Sequence, residues 1–212
     1  MSWTWLAAAL VGAVGSGVAV PVLTACGLRH LGRSDLRTGL LRCKGAASGA
    51  LVGSATSLAA LRADNPALVL PLVFWGAALV AASSCDAVSQ RIPTALVRQS
   101  IVLVCLLLTS TSVLYEDWSG LVMSMVTAAT SGLVLLLCWR VAGAGFGDVR
   151  LAVLGGLGLG HATDRGLLIG LAVLTLVVFV QATITLRRGG SLHTPLPMAP
   201  ALSIGFVITA VS

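Results

Sequence analysis

Apolar residues run through this chain in long blocks, and the charged residues stand in short islands between them. The blocks are Trp3 to Thr24, Gly45 to Leu61, Leu68 to Ser84, Leu96 to Leu114, Leu121 to Trp139, Leu151 to Gly160, Leu167 to Leu186 and Ala201 to Val211. An α-helix needs roughly 20 largely apolar residues to cross a bilayer. The pattern therefore predicts an all-α, polytopic membrane protein, a bundle of about eight transmembrane segments. One segment, Leu151 to Gly160, is short and carries Gly155, Gly156, Gly158 and Gly160. It crosses only by extending through Asp148 and His161, or it is partly re-entrant. Residues 1–212 read as a single membrane-embedded domain with a basic loop at about 26–45.

Composition supports the class. Hydrophobic residues make up 57% and charged residues 9%, against about 25% charged in ordinary globular domains. Leu23-Thr24-Ala25-Cys26 resembles a lipoprotein cleavage box, but no Lys or Arg precedes Arg29, so the first block reads as an uncleaved span. Gly45, Gly49 and Gly53 stand four apart, either a close-packing helix face or an incidental result of a Gly/Ala-rich chain. The five cysteines form no CxxC pair, and no structural zinc site or other cofactor is expected. His30, His161 and His193 are scattered and read as solvated loop residues.

Charge sets the orientation. When the segments alternate sides, eleven of the thirteen Lys/Arg fall with the loop holding Arg29, Arg33, Arg37, Arg42 and Lys44. Only Arg62 and Arg165 fall opposite, with Asp64, Glu116, Asp117 and Asp164. By the positive-inside rule the N-terminus is outside. The net charge of +6 follows loop sidedness and makes no basic face beside stacking aromatics, so no nucleic-acid partner is expected.

Two carboxylates then stand out on the cytoplasmic side, Asp86 and Asp148. An acid at the edge of an apolar segment is costly and points to function. Each has a bland reading as well: Asp148 as a helix N-cap, Asp86 as an interfacial charge. Two carboxylates at one partly buried site can share a proton, one activating water while the other polarises a peptide carbonyl. The sequence has no G-x-S-x-G elbow and no H-E-x-x-H helix. The glycines around Gly143 and Gly145 follow no strand, which argues against a dinucleotide loop. Gly145 and Gly147 bracket Phe146 and suggest a non-helical hinge before Asp148, or simply a loop. Pro93 should break the helix near Ile92.

At these residues the chain resembles the type IV prepilin leader peptidases, membrane aspartic proteases of the GxGD type. The resemblance covers roughly residues 68 to 212. It rests on Asp86 followed after five residues by Ile92-Pro93, and on Gly145-Phe146-Gly147-Asp148-Val149-Arg150. Pro197 and Pro200, before the last block, also resemble the family. The resemblance implies an endopeptidase in the bacterial plasma membrane. It would cut the leader of prepilins or pseudopilins at the cytoplasmic face, with Asp86 and Asp148 as the catalytic pair, no metal and no cofactor. Thr94 stands where the family usually has Asn or Asp, and Ala199 where Gly is common. The paired CxxC motifs of larger members are missing, which sets methyltransferase activity aside and matches the compact form. Two other classes compete: a small proton-coupled transporter or channel, and an inactive pilus or secretion assembly component. The transporter would place acids near mid-bilayer, whereas these lie at segment ends. Oligomeric state is left open.

Overall fold

Each apolar block folds as a helix. A computed structural model describes residues 3–31, 38–62, 65–142, 145–187 and 198–212. The helices are α1 (Trp3–His30), α2 (Thr38–Arg62), α3 (Val69–Ser89), α4 (Thr94–Tyr115), α5 (Trp118–Ala142), α6 (Phe146–Leu157), α7 (Asp164–Arg187) and α8 (Met198–Val211). A 3-10 turn at Pro66–Leu68 leads into α3, and no strand occurs among the described residues. Arg33, Asp35, Arg37, Asp64, Gly143, Arg188, His193 and Pro197 lie outside the described residues.

Several helices run past the apolar blocks. α1 continues through Cys26 to His30, so the Leu23–Cys26 stretch is unbroken helix. α6 starts at Phe146, which puts Asp148 inside its first turn. The spans Trp5–His30, Pro66–Ser89, Thr94–Tyr115 and Trp118–Arg140 are long and apolar enough to cross a membrane. α6 and α8, of 12 and 14 residues, are shorter than a straight crossing needs. The outer faces are apolar too. Leu10 and Val14 on α1, Leu106 and Leu114 on α4, Leu133 and Leu137 on α5, and Leu168 and Phe179 on α7 are all exposed. In water such a surface would be an association hazard.

α3 is the hub, touching α1, α2, α4, α6 and α8. Small residues let α1 and α2 close on each other. A Cβ on Gly49 would lie 2.6 Å from the Ser16 carbonyl oxygen, and Gly53 abuts the α1 backbone at Gly12. Gly49 and Gly53 therefore form a packing face, whereas Gly45 only meets Val20 at ordinary contact distance. α6 is wedged against α3, α4, α5 and α8. Trp75, fully buried on α3, donates its indole N–H to the Leu154 carbonyl at 2.7 Å. From α5, Ser131 and Thr127 donate to the Ala152 and Gly156 carbonyls at 2.8 and 2.7 Å. Hydroxyl bonds of this kind satisfy carbonyls in a helix whose glycines leave the backbone uncovered.

At the end of α6 away from Asp148, His161 Nε2 lies 3.6 Å from Asp117 Oδ2. His161 is an exposed turn residue, as expected, and the turn after α6 brings it against the α4–α5 turn. His30 instead caps its own helix, with Nδ1 2.9 Å from the Cys26 carbonyl oxygen. Chiefly the Gly120 backbone N–H, with Ser119, His161 and Asn65 assisting, holds the Asp117 carboxyl below the usual carboxylate range. A folded value below the unfolded one gives stability that is present above about pH 4 and is lost as pH falls through the folded value. Asp117→Ala should therefore lower the thermal midpoint in detergent at neutral pH, with the deficit narrowing progressively below about pH 4. Melting curves at stepped pH provide the check; a deficit unchanged down to about pH 2 would contradict the clasp.

Candidate active site

The site forms where three helix ends converge. α3 stops at Ser89 because Gln90 takes a left-handed conformation, φ 51°, while its amide closes on the Asp86 carbonyl at 2.7 Å. The chain then turns through Ile92 and Pro93. Pro93 is the extended N-cap of α4, and its φ of −68° suits a ring that fixes that angle. The break expected at Ile92-Pro93 is present. Asp86 therefore sits one turn before the end of α3, 6% exposed. Its Oδ2 accepts the Ala199 amide of the first turn of α8 at 3.3 Å. A helix N-terminus supplies free N–H groups and positive potential, which suit a buried carboxylate. Pro200, next in that turn, has no N–H to offer.

Asp148 is 9% exposed. It is the third residue of α6, whose N-cap is Gly145. So Asp148 is not itself the N-cap; its amide donates to the Gly145 carbonyl at 3.0 Å, and its carboxylate folds back over Gly145. The two carboxylates come from different helices, and the segments that carry them meet where Gly147 packs on Ile92. Among the described residues neither forms an ion pair, and no three His, Cys, Asp or Glu residues assemble as a metal site.

The glycines work differently from a hinge. Gly147 is helical, and neither Gly145 nor Gly147 has the positive φ that would demand glycine. The expected non-helical backbone at Gly147 is thus corrected: the constraint is space. A Cβ on Gly147 would lie 3.2 Å from Ile92 Cβ and 3.3 Å from Ile92 Cδ1. A Cβ on Gly145 would lie 3.0 Å from Asp148 Oδ2. The two motif segments thus pack directly on each other, with Gly147 against Ile92. α1 joins them from behind, since a Cβ on Gly27 would lie 2.9 Å from Cys85 Sγ and 3.0 Å from Pro93 Cγ.

Against protein-family models, curated proteins and solved structures, the chain matches none. Its chemistry rests on the residues and their geometry.

Several contributors have no signal in the sequence. Ser83 Oγ lies 3.2 Å from the Ala199 carbonyl oxygen and 2.6 Å from the Ser203 hydroxyl, tying α8 to α3 one turn from Asp86. Ser83, Ala87, Pro200 and Ser203 also line an apolar cavity of about 380 Å³ that runs along α8 to Ile208. Arg150 donates from Nη1 to the Thr94 hydroxyl at 2.8 Å.

The Gly147–Ile92 contact makes a prediction of its own. Gly147→Val should destabilise the protein by about 1–3 kcal/mol through overpacking. Ile92→Ala in that background should return part of the loss, a coupling expected only between touching residues. Thermal unfolding of the two single variants and the double variant tests it; strict additivity would show that the contact is absent.

Proposed function

We propose that this chain is a membrane-embedded aspartic endopeptidase that removes the leader of type IV prepilins or pseudopilins at the cytoplasmic face of the bacterial plasma membrane. The observation that carries the reading is the Asp86–Asp148 pair: two buried carboxylates from separate helices, whose segments pack on each other through Gly147 and Ile92, with no basic partner among the described residues. Two carboxylates so placed hold one proton between them, and the titration belongs to the pair. The ionised member takes a proton from water as the oxygen attacks the scissile carbonyl. The protonated member hydrogen-bonds the carbonyl oxygen as negative charge gathers there. Collapse of the tetrahedral intermediate breaks the C–N bond, and the proton taken from water passes to the leaving amine.

The two motifs that resemble the leader peptidases supply the substrate class. The helical breaks beside each aspartate supply what the chemistry needs in lipid: free backbone ends beside the carboxylates, where an unwound peptide can find partners. Both acids lie in the end turns of their helices, which favours a protease over a transporter that would place acids at mid-bilayer. The eleven-to-two division of Lys and Arg supports an outside N-terminus and a cytoplasmic site. Leader removal without N-methylation is proposed, since the sequence has no CxxC pair.

Co-expression with a prepilin should yield a product shorter by the leader, read by mass spectrometry. Asp86→Asn and Asp148→Asn should each lower cleavage by at least about 10³-fold, and the double variant should be little worse than either. Wild-type cleavage by either single variant would reject the dyad. Reporter fusions after Arg98 and Arg150 should read cytoplasmic, and those after Asp117 and Arg165 external. An external signal at Arg150 would part the aspartates from a cytoplasmic leader and overturn the topology.

A further inference from the structure

Resting on the peptidase reading, we infer that Arg150 and Thr94 form a positioning clamp that sets how Asp148 stands relative to Asp86. The two aspartates sit on helices with separate ends, so something must hold the start of α6 in register with the chain leaving α3. The apolar contact of Gly147 with Ile92 resists closer approach but does not prevent α6 from sliding or turning about its axis. A directional bond supplies that control. Arg150 lies two residues beyond Asp148 in the first turns of α6, and Thr94 is the first residue of α4, directly after Ile92-Pro93. The 2.8 Å bond from Arg150 Nη1 to the Thr94 hydroxyl oxygen joins the two segments across 56 residues of sequence.

The guanidinium is itself held on its other side. Its central carbon stands 4.8 Å from the centre of the Phe146 ring, within range of a cation–π contact. The Phe146 ring in turn meets Trp139 edge-to-face, with centroids 5.5 Å apart. Arg150 thus links the end of α5, the start of α6 and the start of α4 in one chain of contacts. A planar fork suits this double duty, and an ammonium cannot reproduce it. The clamp also gives Thr94 a role as the oxygen that receives the guanidinium.

Because the hydrogen bond lies at an exposed edge, its removal should change geometry far more than stability. Thr94→Val and Arg150→Met should each leave the thermal midpoint close to wild type. Each should lower kcat for prepilin cleavage by about 10- to 100-fold with KM little changed, the scale of a misplaced catalytic group. The double variant should be no worse than the poorer single one. Thr94→Ser should recover most of the activity, whereas Arg150→Lys should not. Loosening the pair should also bring the two limbs of the pH–rate profile closer together, because carboxylates held farther apart couple less. Wild-type cleavage together with full activity, an unchanged pH profile and additive effects in the variants would overturn the clamp and leave the peptidase standing. If the wild-type chain cuts no prepilin, the peptidase reading fails first. Collapse of the thermal midpoint in both Thr94→Val and Arg150→Met would show a merely structural contact and also overturn the clamp.

Discussion

The structure depends on keeping a helix of twelve residues in the middle of a bundle of much longer ones. α6 rises only about 18 Å, little more than half a bilayer core. It cannot stand on its own length, and it buries Leu151, Leu154 and Leu157 in the core. Close backbone approach holds it as well. Gly155, Gly156 and Gly158 let Phe206, α5 and Trp75 come up against the helix itself. Trp75, Ser131 and Thr127 then bond to its carbonyls. Because α6 is held from three sides, Asp148 at its beginning is placed by the whole bundle rather than by a loop. The same helix leaves room for α8, whose first turn carries the amide that Asp86 receives.

This explains which parts of the fold could be read from residues alone. Long apolar blocks specify helices because each must bury its own backbone polar groups, and nothing else meets that demand. The turn at Ile92-Pro93 was legible for an equally local reason, since proline restricts the residue before it. The aspartates were legible because an acid in an apolar chain has so few bland explanations. Gly147 was misread because glycine serves two purposes that look identical in a sequence, conformational freedom and close approach. Only the neighbour, Ile92, tells them apart. Likewise, nothing in the letters Thr94 and Arg150 says that they meet, because their contact depends on where two helices start in space. Ser83 and Ser203 were silent for a further reason: serine is common in apolar helices, where it usually bonds its own preceding turn, as Ser84 and Ser54 do here.

The electrostatics of the two ends differ in kind. At one end Asp117 is drawn into a set of local donors, the Gly120 amide, Ser119 and His161, and its charge is met. At the other end Asp86 receives one backbone amide, and neither Asp86 nor Asp148 meets a cation among the described residues. A charged carboxylate wants several donors or a counter-ion when it leaves water. The Asp117 arrangement satisfies that demand and is suited to joining turns. The Asp86–Asp148 arrangement leaves it largely unmet, a costly state that survives in a fold only where something else maintains it. The contrast between two acidic sites in one chain, one partly exposed at a turn and one buried between helix ends, is the strongest physical reason to propose chemistry at the second and architecture at the first.

The residue that receives Asp86 shows how little side-chain identity matters at such a point. Ala199 stands where the family that the chain resembles often has glycine, a difference that on size alone would crowd the site. It does not. Ala199 is fully buried, yet both of its backbone groups are engaged: the amide donates to Asp86 and the carbonyl accepts from Ser83. What the site uses is the main chain of the first turn of α8, aimed by the packing of Ala199 and Leu202 into the core. Pro200 sharpens the arrangement, because a proline early in a helix fits the backbone and removes a competing N–H. The Ala199 methyl group has its space in the buried core with both backbone bonds in place. The tolerance has a limit set by the same geometry: a side chain that reached past that space would part α8 from α3, and Asp86 would lose its amide before the fold lost a helix.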